Sequence, residues 1–154
     1  MTESQKITVQ RSIDASAADI FDVLSNPKRH VELDGSGFVR SDEKAERIQK
    51  VGDVFRMNMA GDHMGGEYQT DNTVSGYSHN ALLAWKTAPA DTPAPGWEWM
   101  WELTPEGPSS TLVSLTYDWS HVTDKEILQK VSFPLVEKDQ LEDSLGNLAS
   151  AVAG

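Results

Sequence analysis

The hydrophobic period of this 154-residue chain changes after about Trp119, and that change constrains its fold more than any single motif. From Phe38 to about Trp119 apolar residues recur every second position between short turn signals, the pattern of half-buried strands. Near the C-terminus Leu141, Leu145, Leu148 and Val152 recur at spacings of 4, 3 and 4, one face of a helix. A sheet with one apolar face and a late amphipathic helix must bury those faces against each other.

The strand segments predicted from this pattern are about 38 to 48, 53 to 60, 66 to 76, 81 to 88, 97 to 104 and 110 to 119. "KVGD", "AGDHMGG", "SGYSHN", "APADTPAPG" and "PEGPSS" separate them; such short breaks suit hairpins and not the long crossovers that parallel strands need. An additional first strand is read in "KITVQRSI", where Ile7, Val9 and Ile13 alternate with Lys6, Thr8 and Ser12. Two small helices follow it. Ser16 with Asp19 resembles a capping box before Ile20, Phe21 and Leu24, and Asn26 with Pro27 opens a second turn that exits through Gly35 and Gly37. In the tail, Thr123 with Glu126 forms another capping box. Pro134 divides a short helical turn from a main helix of about 134 to 153, on the order of 30 Å long at 1.5 Å per residue.

Composition narrows the classes of function. The length is that of one ordinary domain, and no repeat or linker divides it, so residues 1–154 are read as a single domain. There is no cysteine, hence no disulfide or thiolate metal site. "MTESQKITVQ" lacks the apolar run of a signal peptide, and no segment approaches the roughly 18 to 20 apolar residues of a membrane span, so a cytoplasmic, non-embedded protein is expected. A net charge of −11 opposes binding to nucleic acid and anionic lipid. The excess is uneven: residues 1 to 60 carry 9 basic and 10 acidic side chains, residues 61 to 154 carry 4 and 14. A solvated acidic surface accounts for this, and a docking face for a basic partner is the sharper alternative.

The order of strand, two small helices, six antiparallel strands and long C-terminal helix resembles the START/Bet v 1-like (SRPBCC) superfamily, in particular its bacterial polyketide cyclase/dehydrase and lipid-transport branch. The resemblance spans nearly the whole chain. It rests most on "ITVQRSIDASAADIFDVLSNPKRH" and "WEWMWELTPEGPSSTLVSLTYDWS", both in the style of actinobacterial members. It implies an α+β helix-grip fold, in which a seven-stranded curved antiparallel sheet wraps the last helix and leaves an apolar cavity between them.

Alternation then names the candidate wall. Trp97, Trp99, Trp101 and Leu103 share one strand face, with Glu98, Met100 and Glu102 on the other. Phe55, Met57, Met59, Leu83, Trp85, Val113, Leu115, Tyr117 and Trp119 fall on the same inner face. Solid aromatic packing explains such a face; a hollow lined by rigid rings and adaptable methionines explains it too. The segment "GEYQTDNTV" favours the hollow, because either parity (Tyr68, Thr70, Asn72, Val74 or Glu67, Gln69, Asp71, Thr73) points polar groups inward, where they need partners. The expected ligand-binding residues are Phe55, Met57, Met59, Tyr68, Trp85, Trp97, Trp99, Trp101, Tyr117, Leu141 and Leu145.

The loops near 34 to 37, 61 to 66, 88 to 96 and 120 to 123 should meet at one sheet edge. Its expected mouth residues are Asp34, Ser36, His63, Met64 and His121, with His30 nearby. The rim histidines lack the spacing of a preformed metal site, and the glycine turns lack both nucleotide-binding patterns. Ser36 between two glycines is not a nucleophile elbow. No metal and no cofactor are expected. Catalytic residues are unassigned; Tyr68 and His63, or Asp71, are weak candidates for proton transfer. The expected function is binding or transport of a hydrophobic small molecule such as a lipid, polyketide or aromatic metabolite. The alternatives are a cyclase or dehydratase using the same cavity, and a protein-interaction module using the acidic face. Neither the ligand nor the oligomeric state is encoded in these patterns.

Overall fold

The computed structural model describes residues 5–43, 45–61, 65–91, 97–120, 122 and 136–153. Strand β1 (Lys6–Ile13) is followed by helix α1 (Ala17–Leu24), a 3-10 turn at Pro27–Arg29 and the single-turn helix α2 (His30–Leu33). Strands β2 (Val39–Asp42), β3 (Val54–Gly61), β4 (Gly66–Ser78), β5 (Leu82–Pro89), β6 (Trp97–Gly107) and β7 (Ser110–Asp118) then lead to helix α3 (Lys138–Ala153). The sheet runs β1-β7-β6-β5-β4-β3-β2 with every neighbour antiparallel. This is the α+β helix-grip fold that the order of elements implied.

The local signals act as the sequence suggests. Ser16 Oγ accepts the Asp19 N–H at 3.1 Å and caps α1. Asn26 Oδ1 accepts the Lys28 N–H at 3.2 Å ahead of Pro27. Strands β4 and β6 run on to Ser78 and Gly107, two and three residues past their expected ends, and two other boundaries differ more. The strand expected over 38 to 48 ends at Asp42, because Asp42 Oδ2 accepts the Ala45 N–H at 3.1 Å and turns the chain. Ile48 then goes inward at 2% exposure, its N–H donating to Ser25 O at 2.8 Å. The last helix starts at Lys138 and not near 134: the Leu141 N–H bonds back to Glu137 O, while Gln140 Oε1 accepts the Glu137 N–H at 2.8 Å, one half of a capping box. The box expected at Thr123 and Glu126 and the turn before Pro134 lie outside the described residues.

Leu141, Leu145 and Leu148 are fully buried, and Val152 is partly so. The closest backbone approaches of α3 are to β1, β7, α1 and α2, so it lies towards one side of the concave face. A clasp from α2 holds it there. The Gly35 N–H donates to Ser144 Oγ at 2.9 Å, Asn147 Nδ2 donates to Leu33 O at 3.4 Å, and Arg29 Nη2 donates to Ala151 O at 3.4 Å. The last bond places a cation on the carbonyl end of α3, where the helix dipole favours it.

Gly35 is what makes the clasp close. A Cβ there would collide with Gln140 O and approach Ser144 N to 2.9 Å, and both are backbone atoms that cannot swing aside. Gly35→Ala should therefore cost about 1 to 3 kcal/mol or more, the range of overpacked sites. Urea unfolding measures this, and a loss under about half a kcal/mol would show that the clasp does not hold α3.

Candidate functional site

Antiparallel register assembles the inner wall in rows. Phe55, Asn72, Thr87 and Trp97 are successive cross-strand partners, and Trp85, Trp99 and Tyr117 form the next row. Trp101 pairs with Leu83 and Leu115 one row further in. Trp97 and Trp101 are 6% and 4% exposed, Trp99 is half-buried and Glu102 is exposed, as strand alternation requires. Trp99 stacks on Tyr117 with ring centroids 4.5 Å apart.

The wall encloses a cavity of about 100 Å³. Phe55, Met57, Met59, Tyr68, Trp85, Trp97, Trp99 and Trp101 line it, as do Asp34 and Ser36. Tyr117, Leu141 and Leu145 do not: they are buried, but in the packing beneath and beside the cavity, because α3 sits towards β1 and β7. His63, Met64 and His121 lie outside the described residues. The segments that are described do meet at one edge, where Asp34 and Ser36 adjoin the Gly61–Gly66 end of β3 and β4, the end of β5 and the start of β6.

Strand β4 resolves its ambiguous parity in favour of Tyr68, Thr70, Asn72 and Val74. The buried polar groups satisfy one another: Thr87 Oγ1 donates to Asn72 Oδ1 at 2.6 Å, and Asn72 Nδ2 donates to Phe55 O at 3.2 Å and Thr70 Oγ1 at 3.3 Å. Asp71 takes the opposite face. Arg56 grips it through Nε and Nη2 at 2.7 and 3.0 Å and holds its carboxyl below the ordinary range, so it cannot serve the cavity.

Asp34 is spent on local structure. Oδ1 accepts from the Ser36 N–H and hydroxyl and Oδ2 from the Val39 N–H at 2.9 Å, which fixes the loop over the mouth. The Tyr68 hydroxyl is pushed up to about 12, first by burial and then by the charge of Asp34. It stays protonated at neutral pH.

His30 belongs to the cavity wall and not merely to its neighbourhood. It is 7% exposed, stacks on Trp85 at 5.0 Å and meets the Phe55 ring edge-on at 5.4 Å. Its Nε2 lies 2.7 Å from Leu24 O, one of the carbonyls that α1 leaves unpaired at its end. A carbonyl only accepts, so Nε2 carries the proton and Nδ1 is a bare acceptor. Asn72, Thr87, Leu33, Phe38, Val39, Leu115, Val136 and Ser144 also line the cavity. Register alone reaches Asn72 and Thr87; no sequence signal marks Val136. Among the described residues no three His, Asp or Glu side chains converge to hold a metal ion, and no helix is long and apolar enough to cross a membrane.

Comparison with known proteins places this geometry in a shared fold. No family model matches the chain. It is 34% identical over 113 residues, 72% of its own length and 47% of the relative's, to "Uncharacterized protein Rv0088" of Mycobacterium tuberculosis. The chain thus spans about half the length of the curated relatives it matches. Among solved structures, it is similar to an Arthrobacter aurescens protein with a TM-score of 0.70 and 13% identity, over 97% of this chain and 87% of that one. The Aha1 dimer from Colwellia psychrerythraea gives 0.60 and 19%, over 96% and 95%. DynU16, from the dynemicin biosynthetic locus, gives 0.64 and 18%, over 98% and 48%. These likenesses are of fold alone, the α+β helix-grip architecture described above.

Burial lowers the His30 pKa to about 4, against the smaller opposing effect of its bond to Leu24 O. The unfolded chain binds the extra proton first, so stability falls as pH drops from about 6.5 through 4. Between pH 7 and pH 5 this group should remove about 2 kcal/mol. Urea unfolding at both values, for the wild type and His30→Phe, isolates the effect; equal pH dependence in the two proteins would mean that His30 is not held neutral.

Proposed function

We propose that the protein binds a hydrophobic small molecule, of the lipid, polyketide or aromatic-metabolite kind, between its sheet and its C-terminal helix. The observation that carries this reading is the cavity of about 100 Å³ walled by Trp85, Trp97, Trp99 and Trp101. Apolar walls with a few fixed polar groups are the usual composition of a small-molecule site. Met57 and Met59 give the wall an adaptable side. The fold likeness to DynU16, a protein of the dynemicin biosynthetic locus, supports assignment to the polyketide cyclase/dehydrase and lipid-transport branch that the sequence resembles. Working in the cytoplasm agrees with the absence of cysteine.

Native mass spectrometry of protein purified from its own host should retain the ligand and give its mass. Trp99→Leu supplies the complementary test. If the wall lines a binding cavity, the variant folds with a modest loss and its preference moves towards bulkier apolar ligands. If the wall is solid core, the variant loses on the order of 2 to 4 kcal/mol and gains binding that the wild type lacks. A wild type that binds nothing apolar, beside a strongly destabilised variant, would defeat the reading.

Tyr68 supports a second reading, a cyclase- or dehydratase-like enzyme. It reaches the cavity wall near Asp34 and keeps its proton, as a general acid must. Tyr68→Phe should then lower turnover by about 10² to 10⁴ with ligand affinity nearly unchanged. Unaltered turnover removes Tyr68 from any proton transfer.

A further inference from the structure

The sheet ends at β1, and among the described residues no strand pairs with the outer edge of that strand. Its pairing with β7 is unbroken from Lys6 to Ile13, with no bulge and no proline. The Trp119 N–H donates to Gln5 O at 3.0 Å, so these two residues form a hydrogen-bonded pair at the start of the ladder. Alternation then turns the N–H and C=O groups of Ile7, Val9 and Arg11 towards β7, and those of Lys6, Thr8, Gln10 and Ser12 away from it. All four outward residues are exposed. Three of their side chains lean back across the convex face, Thr8 to Thr116, Gln10 to Ser114 and Ser12 to Glu106, each at 2.9 Å. What they leave uncovered is a row of backbone donors and acceptors about 6.8 Å apart. Proteins ordinarily blunt such an edge with a bulge, a proline or a shorter strand.

On its inner side the edge adjoins a groove of about 610 Å³ between β1 and the first half of α3, and the charges in that groove are Arg11, Lys138 and Glu142. Lys138 and Glu142 lie 4.0 Å apart. Arg11 is exposed and makes no hydrogen bond or ion pair among the described residues. Its Nη1 stands beside α3, 3.4 Å from where a Cβ on Gly146 would lie. The groove thus has a surplus cation in a chain of net charge −11. We infer that the β1 edge takes an extended acidic peptide segment as an eighth strand, its backbone bonding to Thr8, Gln10 and Ser12 and a Glu or Asp side chain entering the groove towards Arg11. Main-chain bonds to an open edge supply affinity, and side chains entering the flanking pocket supply choice. A second copy of this chain fits less well, because pairing β1 with β1 brings another Arg11 to the same cationic face.

The probe is acetyl-TVTETVT-amide, with acetyl-TVTKTVT-amide as its charge-reversed counterpart. NMR titration of the full chain reads both site and affinity. The glutamate peptide should shift the amides of Thr8, Gln10 and Ser12. It should bind about fivefold or more tightly than the lysine peptide, the reach of an exposed ion pair together with a removed repulsion. Arg11→Glu should reverse that preference. Gln10→Pro removes an outward N–H and no backbone bond to β7, and should weaken the glutamate peptide about fivefold or more. If that variant fails to fold, the wild type still decides: methylating the peptide's backbone nitrogens at alternate residues should abolish binding for one set and spare it for the other. Equal affinity for the two peptides, no movement of the three amides, or the same effect from both methylated sets overturns the inference. A wild-type dimer seen in sedimentation and dissociated by Gln10→Pro overturns it in favour of a second copy.

Discussion

The structure depends on a mismatch of widths. An α-helix with its side chains is about 10 to 12 Å across, while strands lie about 4.8 Å apart, so one helix running along a sheet covers two or three strands. This sheet has seven. With α3 settled towards β1 and β7, the inner face of β3 to β6 must be covered by something else. Large side chains rising from the sheet do much of this, with the short α2 and the loop after it closing over them. Rings are stiff and leave gaps where chains of methylenes would not, and the cavity is the remainder.

That origin explains how polar groups are distributed. Several of those inside bond to one another, as in the Thr70–Asn72–Thr87 strip, and others build the rim, as Asp34 does with Ser36 and Val39. The charges of β3 and β4 are placed outside. Arg56 bridges Asp71 and Asp91 on the solvent face, with both carboxylates available to one planar guanidinium. Buried His30 is held in its neutral form between the Trp85 face, the Phe55 ring and a helix-end carbonyl.

Alternation made most of the sheet legible. Trp97, Trp101 and Leu103 could be assigned to one face from the order of residues alone, because a strand has only two faces. The parity of β4 could not, since both of its sets are polar and only the neighbouring strands decide. The end of β2 was hidden for a different reason: "VRSDEKAERI" alternates well enough for a longer strand, and its arrest depends on Asp42 reaching Ala45 and on Ser25, a residue far away in sequence, receiving Ile48. Period identified Leu141 and Leu145 as core but not which strands they would meet, so their expected place in the cavity wall does not follow from their burial. His30 read as a rim residue because nothing near it in sequence says that Leu24 O needs a donor.

The same reasoning separates two kinds of selectivity available to such a cavity. Groups already paired within the wall present shape, since a ligand that bonds to Asn72 or Thr87 must first break an existing hydrogen bond and gains little net. Groups left over by the fold present chemistry, since their bonds to a ligand displace nothing in the protein. A wall built mainly from tryptophan therefore reads the outline of a flat molecule broadly, and reads its oxygens only at the points where burial has left a donor or an acceptor unpaired. Repacking an aromatic face should change which shapes fit, whereas exchanging the His30 imidazole for a phenyl ring should change which donors are recognised.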